Sequence, residues 1–259
     1  MNEIGEDISQ ADIDTERLDG FSSGKYHQSF GKLAERPHQR RYLENAYKRS
    51  LGLVQEAGWE NPIAQPDAEV LLCGTGSTET SSTFVRTIRD LNHDAKIHIL
   101  DREQFPLDRS RERLGRELGE QMDGIEFHQE DALHTSFADS EISAIETDLF
   151  LQFFPPDAKA ELLKEWWRIL KPGGIVTTRD FVQSTGGRFE KRIANLQQRA
   201  VARAVHVPVY PTTNDELSKQ FEQAGFDVRI IRGKVPVLKT QAPLYSYIIA
   251  HKPEASPIE

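Results

Sequence analysis

Ala68-Glu-Val-Leu-Leu-Cys-Gly-Thr-Gly-Ser-Thr-Glu-Thr80 is the stretch whose reading decides the fold. An apolar run from Val70 to Cys73 stops at Gly74-Thr75-Gly76. Beyond Ser77 and Thr78, the apolar residues Phe84, Val85, Ile88 and Leu91 recur at helical spacing. Strand, glycine turn and helix in that order open a doubly wound α/β fold with a ligand over the turn. Twenty-five residues past Gly76 (101 − 76), Ile97-His-Ile-Leu-Asp101 ends a second apolar strand on a carboxylate. An acid there can accept both ribose hydroxyls of a nucleoside.

Glu79 narrows the choice of nucleoside cofactor. A dinucleotide fingerprint has glycine at that point, so that a pyrophosphate can rest on the helix N-terminus. A carboxylate would repel a pyrophosphate but not a cofactor carrying an ammonium and a sulfonium. Glu79 equally suits the positive end of a helix dipole as a plain helix-start residue.

Working outward, the 259 residues suit one large α/β domain, or such a domain with a small cap. The net charge of −9 disfavours nucleic acid as a partner. The single cysteine, Cys73, permits no intramolecular disulfide, which fits a cytoplasmic setting. The opening Met-Asn-Glu-Ile-Gly-Glu-Asp has no signal-peptide core, and no apolar run approaches the ~18 residues of a membrane span. No membrane partner is expected.

Three regions follow. Residues 1–20, with Asp7, Asp12, Asp14, Glu16 and Asp19, read as a mobile acidic arm. Residues 21–62 read as an N-terminal helical lid, since Leu43, Tyr47, Leu51 and Val54 recur at helical spacing and Gly58 stops the helix. Residues 63–259 carry the α/β pattern: strand 69–73, helix 78–91, strand 96–100, helix 108–120, strand 124–128, strand 142–148 and helix 157–169. A Lys171-Pro-Gly-Gly174 turn, strand 175–180, helix 213–224 and strands 226–232 and 244–251 complete it. A helix over about 188–205 forms a cap insert within 181–212.

This pattern resembles the class I S-adenosylmethionine-dependent methyltransferases over roughly residues 68–251. Glu69-Val-Leu-Leu-Cys-Gly-Thr-Gly76 resembles the loop that grips the cofactor, and His98-Ile-Leu-Asp101 the strand whose acid holds the ribose. Phe127-His-Gln-Glu-Asp-Ala132 resembles the segment whose acid bonds the adenine amino group. Trp167-Arg-Ile-Leu-Lys-Pro-Gly-Gly174, the most specific match, resembles the turn into the fifth strand. The resemblance implies a seven-stranded, mostly parallel sheet in the order 3-2-1-4-5-7-6 with strand 7 antiparallel. It implies S-adenosylmethionine as cofactor, held by Cys73, Gly74, Thr75, Gly76, Asp101, Arg102, Asp131, Ala132 and Asp148. Two positions depart from the family: Leu72 stands where an acid is usual, and Thr78 where a third loop glycine is usual. The grip on the methionine end then falls to another segment, for which Tyr26 and its neighbour His27 are candidates.

Methyl transfer from a sulfonium needs alignment and a dry pocket, and a base only if the acceptor must lose a proton. The candidate bases are His27 and His206, each in a roof segment, and Asp148 at the end of the fourth strand. Tyr26 and Tyr42 are candidates to cover the sulfonium. Arg188, Lys191, Arg192, Arg199 and Arg203 form a basic helix face that suits an anionic acceptor or simply a solvated surface. Cys73 reads as a buried, inert thiol. The eight histidines show no H-x-x-x-H spacing, so no metal is expected. The leading expectation is O- or N-methylation of a small molecule by a monomer or homodimer. A macromolecular methyltransferase, a cofactor-binding regulatory module and, least, a dehydrogenase are the alternatives.

Overall fold

The computed structural model of the chain describes residues 37–183, 187–188, 191–193, 196, 199, 208–233, 235–237, 240–242 and 245–254. Tyr26, His27, Arg203 and His206, the acidic arm and the first part of the expected lid lie outside the described residues.

Among the described residues, helix α1 (Pro37–Glu56) comes first. Strand β1 (Glu69–Cys73), helix α2 (Thr78–Leu91), β2 (Lys96–Asp101), α3 (Gln104–Leu118) and β3 (Ile125–Gln129) follow. Then come β4 (Ile142–Asp148), α4 (Pro156–Ile169), β5 (Leu170–Asp180), α5 (Asn214–Gln223) and β6 (Asp227–Arg232). A short antiparallel pair, β7 (Val235–Val237) with β8 (Thr240–Ala242), precedes the final strand β9 (Ser246–His251). The large sheet runs β3-β2-β1-β4-β5-β9-β6. β1 to β5 are parallel, and β9 is antiparallel to both of its neighbours. In the order of its own seven strands this is 3-2-1-4-5-7-6, the class I methyltransferase arrangement.

The strands alternate between two buried faces, as a sheet covered on both sides requires. Leu71, Cys73, Leu100, Ile145, Val176 and Ile248 pack under α4 and α5 with Trp166 and Phe221. Val70, Leu72, Ile97, Ile99, Ala144, Ile175 and Ile249 pack under α1, α2 and α3 with Phe84 and Leu107. Trp166 is fully buried, while its neighbour Trp167 is only partly so.

Some boundaries differ from the sequence reading. α3 starts at Gln104, four residues before the expected 108. The Lys171–Gly174 turn is a bulge within β5: Ile142 pairs with Leu170 and Ala144 with Ile175, so the four residues between loop outward. Gly173, at φ +79°, donates its N–H to the Lys252 carbonyl at 2.8 Å and ties this bulge to the segment after β9. β7 and β8 carry no expected counterpart. Among the described residues, no helix is long and apolar enough to cross a membrane.

Candidate active site

The parallel strands deliver their carboxyl ends to one edge of the sheet, and two polar regions meet there. The first is the glycine loop after β1. Gly74 and Gly76 take φ of +83° and +53°, left-handed conformations that favour glycine. Gly74 has a second constraint, because a Cβ there would stand 2.7 Å from the Phe150 ring. Ser77 then caps α2, its hydroxyl accepting the Thr80 N–H at 3.2 Å.

Thr75, fully buried, binds this loop to β2. Its N–H and its hydroxyl both donate to Oδ2 of Asp101, at 2.9 and 2.8 Å. The Glu103 N–H donates to Oδ1 at 3.0 Å. A carboxylate offers about four acceptor positions, so three are met from the chain and one on Oδ1 is left. The expectation that Asp101 accepts both ribose hydroxyls is therefore narrowed to one bond, unless Thr75 turns its hydroxyl away. Asp131 follows β3, its carboxyl oriented by the Leu133 N–H at 3.0 Å; Ala132 beside it is buried and Arg102 is exposed. Cys73 is buried under the loop, and burial pushes its thiol well above the ordinary range.

Glu79 is not a free carboxylate. It lies in the first turn of α2, 6% exposed, ion-paired with Arg113 of α3 and 3.9 Å from Arg40 of α1. It clamps three helices, and its balanced charge weakens the sequence argument against a pyrophosphate.

The second region lies at the ends of β4, β5 and β9. Asp148 and Arg179 are register partners on adjacent strands. They form a bidentate pair, Nε to Oδ1 at 2.8 Å and Nη2 to Oδ2 at 2.7 Å, with side chains 11% and 3% exposed. Burial works against the guanidinium charge, but Asp148 more than offsets it and holds the arginine above its ordinary pKa. Both oxygens of Asp148 are thus engaged, which suits it to hold Arg179 rather than to take a proton. The guanidinium sits over the Tyr42 ring at 4.5 Å and within 5.6 Å of the Tyr245 ring. Tyr247 pairs with Arg179 across β5 and β9, and its ring meets that of Tyr245 edge-on at 5.4 Å. Gly233 lets Tyr245 approach, since a Cβ there would collide with its ring.

Two buried polar atoms here have no partner among the described residues: Nη1 of Arg179 and the hydroxyl of Tyr47. Below them, Glu146 is buried and accepts from the Thr177 hydroxyl; burial drives its carboxyl well toward the neutral form. Leu149, next to Asp148, takes φ +55°, rare for a branched residue and costly by about 1–2 kcal/mol. Its N–H donates to the Arg179 carbonyl at 2.8 Å, so the strained turn is tied to the same pair.

Of the sequence candidates, the structure brings Cys73, Gly74, Thr75, Gly76, Asp101 and Asp148 to this edge, with Asp131 and Ala132 following β3. Tyr42 is there too, but it lies on Arg179. The described members of the basic helix face, Arg188, Lys191, Arg192 and Arg199, are exposed. Arg179, Glu146, Tyr47, Tyr245 and Phe150 were missed. A signal existed for one of them: Glu146 follows the uncharged run Ile142-Ser-Ala-Ile145 within β4, where burial of a charge without a partner is costly.

A family model described as a methyltransferase domain matches residues 70–174. An uncharacterized protein of Haemophilus influenzae is 26% identical over 122 residues, covering 47% of this chain and 46% of that protein. The match thus spans about half the length of that relative. A chain from the complex between the Haloferax volcanii Trm112 methyltransferase activator and its methyltransferase is similar in fold, with a TM-score of 0.62 and 16% identity over 94% of this chain and 99% of that one. A SAM-dependent methyltransferase of Methanosarcina mazei has a TM-score of 0.56 and 18% identity, over 74% and 95% of the two chains.

Proposed function

Residues 70–174 belong to the methyltransferase-domain family, and from that premise we propose that the chain uses S-adenosylmethionine to methylate a small molecule bearing an anionic group. When bound, the cofactor would supply an electrophilic methyl group on a sulfonium centre. The residues at the glycine loop fit such a group: a cradle of two left-handed glycines, an acceptor position on Asp101 and an oriented Asp131 carboxyl. Asp101 would hold a ribose hydroxyl, Asp131 the adenine amino group, and the backbone of Gly74 to Gly76 the remainder.

One observation carries the acceptor reading. Arg179 keeps one buried nitrogen, Nη1, without a partner among the described residues, inside a wall of Tyr42, Tyr47, Tyr245 and Tyr247. A buried unpartnered donor on a charged group is costly, and a carboxylate or phosphate oxygen would satisfy it. Asp148 fixes the guanidinium plane, the tyrosines exclude water, and Arg179 orients the acceptor. Methyl transfer then rests on proximity and a dry site, with no obligatory base.

The test is a methyl-transfer screen over small carboxylates and phosphates, alongside RNA and protein extracts. Turnover with an anionic small molecule, whose KM rises more than tenfold in Arg179→Gln while cofactor affinity stays put, supports the reading. Methylation only of a macromolecule, or a KM indifferent to Arg179, overturns it.

A further inference from the structure

On the face of the sheet that α4 and α5 cover, the early residues of β1, β2 and β3 bring together a cluster outside the site above. His98 is 1% exposed, with Nδ1 3.0 Å from Nε2 of His128. Oε2 of Glu126 is 3.5 Å from the first nitrogen and 3.7 Å from the second. Ligands held at 2.0–2.1 Å around one tetrahedral ion stand about 3.3–3.4 Å apart. The triangle of 3.0, 3.5 and 3.7 Å is close to that face.

The far nitrogens make the case stronger. Nε2 of His98 lies 2.9 Å from Oε2 of Glu69, and Nδ1 of His128 lies 3.8 Å from Oε1 of Glu130. With protons on those far nitrogens, both imidazoles turn lone pairs toward the centre of the triangle. A carboxylate hydrogen-bonded behind a ligating histidine, as Glu69 stands to His98, is the arrangement that fixes tautomer and ring in metal sites. Glu130 is itself held by the N–H and hydroxyl of Ser136 and adds only its charge near His128. The ring of Phe137 stands 5.0 Å from each imidazole and walls one side with apolar surface. Lys96 holds the other oxygen of Glu126 at 3.3 Å and is 3.7 Å from Glu69, with Glu141 also in its field. Even counting Lys96, the carboxylates of Glu69, Glu126 and Glu130 leave the cluster an excess of negative charge. The side chains of His128 and Glu126 are 19% and 47% exposed, which leaves a route for an ion and for a water as fourth ligand.

We propose that His98, His128 and Glu126 bind one divalent cation of the zinc class, with Glu69 as the positioning residue for the His98 imidazole. Linear spacing hides such a site, because His98 comes from one parallel strand and Glu126-x-His128 from its neighbour. Two nitrogens and a carboxylate favour zinc or cobalt over magnesium. The site would pin edge strand β3 to β2, a few residues short of Asp101 and Asp131.

The test uses the full chain, stripped with chelator and titrated with Co2+ and then Zn2+. One equivalent of Co2+ should give visible d–d absorption, and Zn2+ should bleach it, while a hundredfold excess of Mg2+ should not. Zn2+ should also raise the melting temperature. His128→Ala and Glu126→Ala, both at partly exposed positions, should fold normally by circular dichroism and weaken Co2+ at least tenfold. Glu69→Gln should weaken it less. No saturable absorption at millimolar Co2+, or unchanged binding in the His128→Ala/Glu126→Ala double variant, overturns the proposal and leaves a hydrogen-bonded histidine pair.

Discussion

Thr75 directs both of its donors to one oxygen of Asp101, so that carboxylate is a part of the loop as well as a ligand for it. Asp101→Ala should weaken S-adenosylmethionine binding by on the order of 1.5–3 kcal/mol, the scale of hydrogen bonds to a charged group. Calorimetric titration checks this, and an unchanged affinity removes Asp101 from the site. Arg179 calls for a paired design. Arg179→Gln strands Asp148 in a buried position and should cost several kcal/mol of stability by denaturant melts. The Arg179→Met/Asp148→Leu double variant should recover most of that loss, yet keep the raised KM for the acceptor. Asp101 was legible because an acid ending an apolar strand is visible in one dimension. Arg179 was not, because its meaning depends on Asp148, thirty-one residues away (179 − 148), being its register partner. Glu79 stands in the first turn of α2, as its helix-start reading expects, but the balance of its charge by Arg113 was not legible, since only the packing of α3 brings that residue near.

At the scale of elements, two left-handed glycines separate backbone need from packing need. Gly58 closes α1 at φ +81° with nothing within 4 Å of an added Cβ, whereas Gly74 at φ +83° has the Phe150 ring at 2.7 Å. Gly58→Ala should cost about 1–2 kcal/mol in thermal stability and leave cofactor binding alone. Gly74→Ala should cost more and abolish that binding, since Phe150 must move off the loop. Equal effects of the two changes would mean that the ring does not support the loop. The strand–helix alternation was readable from periodicity because the buried strands are mostly apolar and several helices carry capping or stopping residues. Ser77 before α2 and the capping box of Thr213 and Glu216 before α5 are such signals. β7 and β8 were not readable: three-residue strands around Pro236 carry no period long enough to detect. α3 begins four residues before the expected 108, with Pro106 inside its first turn, where proline is tolerated.

Across the whole molecule, buried charge links the layers. Asp180 ends β5 and is 1% exposed, receiving N–H bonds from Gln152 at 3.0 Å and Phe181 at 2.8 Å. Burial pushes its carboxyl up to about 7, against the pull of Lys159 on α4. Between an unfolded value near 3.8 and that folded value, the native chain keeps a proton that the unfolded chain has released. Stability should therefore fall as pH rises through this window and level off above it. Lys159, whose folded pKa is lowered by burial, adds a slope of the opposite sign below its ordinary value. Urea midpoints from pH 4 to 7 should show a smaller decline for Asp180→Asn than for the native chain; parallel curves would place the titration elsewhere. The same view changes the role of α1. Leu43, Tyr47, Leu53 and Val54 belong to the core beneath it, so this helix is a wall of the domain and cannot be removed as a separate cover. Tyr42 of α1 touches the guanidinium that Tyr245 approaches from beside β9, and the two tyrosines are 203 residues apart in the chain (245 − 42). During synthesis the glycine loop, Asp101 and Asp131 leave the ribosome together, well before Tyr245 exists. A prematurely ended chain would thus carry every residue of the glycine loop while lacking the corner that we propose selects the acceptor.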